Sequence, residues 1–123
     1  MAASVAGAPP SRQDRIQEPV WRYKVEWTSD AAGAASGDIG HVISGAIASV
    51  VTVPSTTAAP TASYDITLTD DYGFDLLAGG GADRHTSNKE RINPTAIQYH
   101  GNLTLNVTNA GDTKSGIVYI YVR

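Results

Sequence analysis

The residues richest in potential chemistry lie between Tyr64 and Asn88, in YDITLTDDYGFDLLAGGGADRHTSN. Four carboxylates, Asp65, Asp70, Asp71 and Asp75, precede three consecutive glycines and His85. A calcium ion needs roughly six to eight oxygens converging in space. DDYGFD sets Asp70, Asp71 and Asp75 around Gly73, but it lacks the D-x-[DN]-x-[DN]-G spacing and distal Glu of a calcium loop. Aspartates that bond their own backbone, with a glycine that tolerates positive φ, describe a tight acidic turn instead. The turn is the favoured reading, and calcium at the four aspartates stays open. A glycosidase needs two carboxylates about 5–10 Å apart across a cleft, whereas neighbours on a strand end, such as Asp70 and Asp71, point apart. GGGADRHTSNKER shares only its glycines with a phosphate loop: no lysine stands at the required place and no helix follows.

His41, His85 and His100 form no HxH, HExxH or i,i+4 pair, and no G-x-S-x-G elbow offers a nucleophile. Catalytic, cofactor and metal residues are therefore all expected to be none. Asn102 and Asn106 each match the N-glycosylation pattern, but they fall inside an expected strand. Trp21, Tyr23 and Trp27, with Tyr119 and Tyr121, invite a sugar-stacking platform. On strands of period 2, such rings more often form a core or the centre of a subunit interface.

The elements that must position these residues read as β throughout. In VWRYKVEW, Trp21, Tyr23, Val25 and Trp27 alternate with Arg22, Lys24 and Glu26, the period of a half-buried strand. TSDAAGAASGDIG is a loop by composition. HVISGAIASVVTVP is apolar and β-branched, and Gly45 marks a bulge or a break between two strands. A helix over ISGAIASVV is the lesser alternative. SYDITLTD and NLTLNVT alternate cleanly, GFDLLAGG reads as one helical turn or a short strand, and residues 79–94 carry no strand signal. IVYIYV is apolar on both faces, and NAGDTKSG supplies a turn that would make the last two strands a hairpin. Six to eight strands at regular spacing predict an all-β chain, a single β-sandwich or jelly-roll-like domain over residues 19–123. Residues 1–18, rich in Ala, Pro and polar residues, read as an extended or flexible N-terminal arm, either solvated or ordered against a neighbour.

Composition narrows the function classes. The 123 residues contain no cysteine, which excludes disulfides, zinc ribbons, iron–sulfur clusters and thiol catalysis. A formal net charge of −3 with scattered Lys and Arg gives no footprint for nucleic acid. No apolar run reaches the roughly 18 residues that span a membrane, and the start lacks the pattern of a secretory signal. Charged residues are 17% of the chain. That low value suits a surface partly covered by other subunits, and equally a small neutral β-protein.

Three stretches together, VEWTSDAAGAASGD, YDITLTDDYGFDLLAGGGADRHTSN and GNLTLNVTNAGDTKSGIVYIYV, resemble a group of small all-β proteins encoded among the head and structural genes of tailed bacteriophages. The resemblance covers roughly residues 25–123, leaves the arm outside, and is a pattern of strands and loops with no catalytic signature. It implies a non-enzymatic capsid decoration (cement) protein. Such a protein is made in the host cytoplasm, sits on the virion surface as a homo-oligomer, trimer favoured, and binds the major capsid protein without cofactors. The arm and residues 79–94 would then make most contacts between subunits. A tail, adaptor or head-fibre component and a carbohydrate-binding β-sandwich are the alternatives.

Overall fold

The computed structural model describes residues 4–7, 15–17, 20–42, 45–94, 97–99 and 102–123. Among these the chain is all β, with strands in two antiparallel sheets that pack as a sandwich. The larger sheet is ordered β1 (Ser4–Gly7), β3 (Val20–Thr28), β10 (Ser115–Val122), β5 (Gly45–Pro54), β7 (Glu90–Ile92). β2 (Arg15–Gln17) also pairs with β3, and β8 (Ile97–Tyr99) also pairs with β5. The smaller sheet is β4 (Ala35–Val42), β9 (Asn102–Thr108), β6 (Asp65–Thr69).

Period-2 alternation sets which side chains enter the core. On β3 and β10 the pairs Tyr23–Ile120, Val25–Val118 and Trp27–Gly116 lie opposite one another on the inner face. The smaller sheet answers with Leu103, Leu105 and Val107 of β9 and Ile66 and Leu68 of β6. Trp27 packs on Tyr64 with ring centroids 5.7 Å apart, within the range of favourable aromatic pairs. A Cβ on Gly116 would come within 2.9 Å of the Trp27 ring, so the indole fills the space a side chain would take.

Several expectations are corrected here. Ala35–Val42 form β4, although TSDAAGAASGDIG reads as a loop. Small residues serve there because β1 covers the strand: a Cβ on Gly37 would meet the Cβ of Val5 at 3.0 Å. Residues 79–94 do contain a strand, β7, three residues long and too short to show a period. GFDLLAGG forms turns around one β-bridge, Thr69 to Asp75. The last two strands are no hairpin. β9 pairs with β4 and β6 and β10 with β3 and β5, so NAGDTKSG carries the chain from one layer to the other. Each strand buries one face in the shared core, which opposite layers satisfy as well as a hairpin would. The break at Gly45 is where β5 begins, after β4 ends at Val42. Of residues 1–18, Ser4–Gly7 and Arg15–Gln17 are strands paired with β3, and the others lie outside the described residues.

Candidate binding site

The four aspartates each have a separate structural task. Asp70 Oδ1 accepts from Tyr72 N, and Gly73, at φ +81°, donates to Asp70 O, closing the acidic turn. Asp75 accepts from Leu68 N, Leu77 N and Gly79 N. Asp71 accepts from Asn102 N, and Asp65 accepts from Asp83 N and Asn109 Nδ2. Among the described residues no three His, Asp or Glu side chains converge in a way that would hold a metal ion. His85 Nδ1 accepts from the amides of Ser87 and Asn88, a local turn. His41 lies on β4 with its side chain undescribed, and His100 lies outside the described residues.

The glycines 79–81 do not release a free loop. Ile66 N donates to Gly81 O, Leu76 N to Leu68 O and Arg84 N to Tyr64 O, so residues 75–84 lie along the outer edge of β6 and cover it. Gly81 is buried, and a Cβ there would sit 2.2 Å from Ile66 O. Its role is close backbone approach, which only glycine permits.

The aromatic set divides. Tyr23 and Trp27 are core residues, and the Trp21 side chain lies outside the described ones. Tyr119 and Tyr121 are half-buried on the outer face of the large sheet. The Arg22 guanidinium lies over Tyr119 at 4.7 Å from its centroid, and that of Arg91 over Tyr121 at 5.5 Å. Cations therefore already occupy a face of each ring. Among the described residues the open rings are Tyr72, 76% exposed, and Phe74, 69%, on either side of Gly73. Asn106 sits in a cross-strand chain, accepting from Ser36 Oγ at 2.7 Å.

A concave site lies at the opposite end of the sandwich from that turn. An open groove of about 460 Å³ runs over the start of β10, lined by Glu26, Trp27, Thr28, Val53, Pro54, Ser55, Thr56, Ser115, Gly116 and Ile117. Alternation turns Glu26, Thr28, Val53, Ser115 and Ile117 outward, while their neighbours Trp27, Pro54 and Gly116 are buried. The rim is bonded in place. Ser55 N donates to Ser115 O and Ser115 N to Ala58 O. Ser55 Oγ accepts from Thr57 N and Ala58 N. Beside it, Ser29 Oγ donates to Gly111 O and accepts from Lys114 N, tying the end of β3 to the loop before β10. The lining combines an apolar strip, several hydroxyls and one carboxylate, Glu26, which sits 3.5 Å from Lys24 Nζ. Nothing in the sequence signals this groove, because its residues come from three strands.

No family model matches the chain, and no curated protein does. Three solved structures are similar to the chain. The family 32 carbohydrate-binding module from C. perfringens NanJ, in complex with galactose, is 11% identical over 97% of this chain and 93% of its own, with a TM-score of 0.45. The corresponding module of AlyQ, in complex with 4,5-unsaturated mannuronic acid, is 17% identical over 95% and 92%, with a TM-score of 0.46. The low-affinity xylan-binding module of family 86 from Roseburia intestinalis is 12% identical over 100% and 96%, with a TM-score of 0.42. Likenesses this distant do not bear on which residues of this chain bind a ligand, since one fold hosts many functions.

Proposed function

We propose that this chain is a non-catalytic β-sandwich module that binds carbohydrate in the groove over β10. The observation that carries the reading is the groove's lining. Val53 and Ile117, opposite one another on the outer face, form an apolar strip for the C–H face of a sugar ring. Thr28, Ser55, Thr56 and Ser115 offer hydroxyls, and Glu26 is the single carboxylate present to accept from sugar hydroxyls. A few convergent polar groups on an apolar floor is the usual make-up of a small-ligand site. A single carboxylate in the groove supports binding and not glycoside hydrolysis, which needs two.

The test is an NMR titration with a panel of neutral and acidic oligosaccharides. Saturable shifts confined to Glu26–Thr28, Val53–Thr56 and Ser115–Ile117, weakened about tenfold or more in Glu26→Ala, are the expected result, since a buried polar contact to a sugar is worth on the order of 1–3 kcal/mol. A panel that leaves those residues unmoved overturns the reading.

A second reading, the virion decoration protein implied by the sequence resemblance, is favoured by a different observation. The outer face of the large sheet sets half-buried Tyr119 and Tyr121 beneath Arg22 and Arg91, the residue types enriched at the centres of subunit interfaces. Copy number decides it. Hundreds of chains per purified particle support a shell component, six or twelve support a tail or connector ring, and none removes the virion reading.

A further inference from the structure

The large exposed aromatics and the acidic charge meet in one place, the turn at one end of the sandwich. Tyr72 and Phe74 project beside Asp70, Asp71 and Asp75, and no Lys or Arg occurs between Tyr64 and Asp83. Two large rings this exposed on one bonded turn are a contact surface without its counterpart. The turn is also prepared for contact. The Asp70 and Asp75 carboxylates fix its backbone, so little ordering remains to be done on binding.

A surface of opposite character lies on the same chain. On the outer face of the large sheet, Arg22 and Lys24 of β3 and Arg91 of β7 surround Tyr119 and Tyr121. Among the described residues the neighbouring row holds one carboxylate, Glu26, 3.5 Å from Lys24 Nζ, in a chain whose formal net charge is −3. Arg91 is held by Ser49 Oγ at 2.9 Å and each guanidinium by a ring, so the cations are presented in fixed positions. Two such faces laid against each other would oppose like charges, which disfavours a face-to-face dimer. Tip against face matches acid with base and aromatic with aromatic.

We propose that the acidic, aromatic tip of one copy docks on the basic tyrosine–arginine face of a second copy. The contact joins two different patches, so repeating it closes a ring or extends a chain. It is separable from the carbohydrate reading at the tip, since Tyr72 and Phe74 lie at the other end of the sandwich from the groove, whereas Lys24 of the face pairs with Glu26 of the groove.

Light scattering and sedimentation from about 1 µM to about 1 mM, the span of weak association, are expected to show concentration-dependent oligomers. The double variant Tyr72→Ser/Phe74→Ser removes the tip, and Lys24→Glu/Arg91→Glu reverses the face. Each is expected to fold, by circular dichroism, and to lose self-association about tenfold or more, the loss typical of an interface hot spot. The decisive arm mixes the two variants. One retains a working face and the other a working tip, so the mixture is expected to form a one-to-one heterodimer and nothing larger. A wild type monomeric throughout, variants that still assemble, or a mixture that stays monomeric each overturn the proposal. The carbohydrate titration is run on the Tyr72→Ser/Phe74→Ser variant, whose changes lie far from the groove, so its failure is read separately.

Discussion

At the groove end of the sandwich, Ser29 bonds Gly111 and Lys114 across 82 and 85 residues of sequence. At the tip end, Asp70 and Asp75 bond backbone groups no more than seven residues away. The first end is assembled from three loops that depend on one another: Ala110 N donates to Gly33 O, Thr61 N to Ala110 O and Thr113 N to Asp30 O. The second is a set of turns that Asp70 and Asp75 close locally, with one longer tie, from Asn102 N to Asp71. The groove end is therefore concave and coupled to the core through Trp27, and the tip end is convex and displays its rings to solvent. Long-range bonds build a cradle, whereas local bonds build a projection.

Removing the core ring beneath the groove is the strongest way to test that division. Trp27→Ala is expected to cost about 3–5 kcal/mol in urea unfolding, against a change within about 0.5 kcal/mol for Phe74→Ala, which is exposed. Equal losses would erase the distinction between the two ends. Gly81→Ala, where the covering segment meets β6, is expected to cost about 1–3 kcal/mol or more, because the added methyl meets a backbone carbonyl that cannot swing away.

Hydrogen exchange sharpens the contrast further. Ser29→Ala strands a part-buried amide and carbonyl, is expected to cost about 1 kcal/mol or more, and should speed exchange throughout 109–114. Asp75→Asn is expected to cost about 1 kcal/mol and to affect only the amides of 68 and 77–79. Exchange that spreads equally from both sites would contradict local closure at the tip. The smallest effect concerns pH. Burial pushes the Tyr64 phenol above its ordinary value near 10, opposed by its bond to Thr52. A raised folded-state value means that its stabilisation is complete below pH 10 and fades as pH climbs toward the folded value. Wild-type melting temperature should thus drop at alkaline pH more steeply than that of Tyr64→Phe.

The layers were legible in the chain wherever one face alternates over five or more residues, as in β3, β6, β9 and β10. The acidic turn was legible too, because Asp70 and Gly73 act within their own few residues. β4 was hidden because its small residues answer to Val5, a contact made 32 residues away. The pairing of β9 and β10 is not legible, because a turn signal tells that the chain reverses, not which layer receives it. The groove was invisible for the same reason as the Ser29 bonds: its parts meet only after three strands are placed side by side. The exposure of Tyr72 and Phe74 is not legible either, because a turn has no period from which to judge it.

β10 lies between β3 and β5, though it is the last strand in chain order. During synthesis the large sheet must therefore wait. A nascent chain that stops short of Ser115 has two long apolar strands, β3 and β5, with no middle to join them. Formation of this sheet is then slow, dominated by pairings distant in sequence, and β3 and β5 stay open to aggregation until β10 is made.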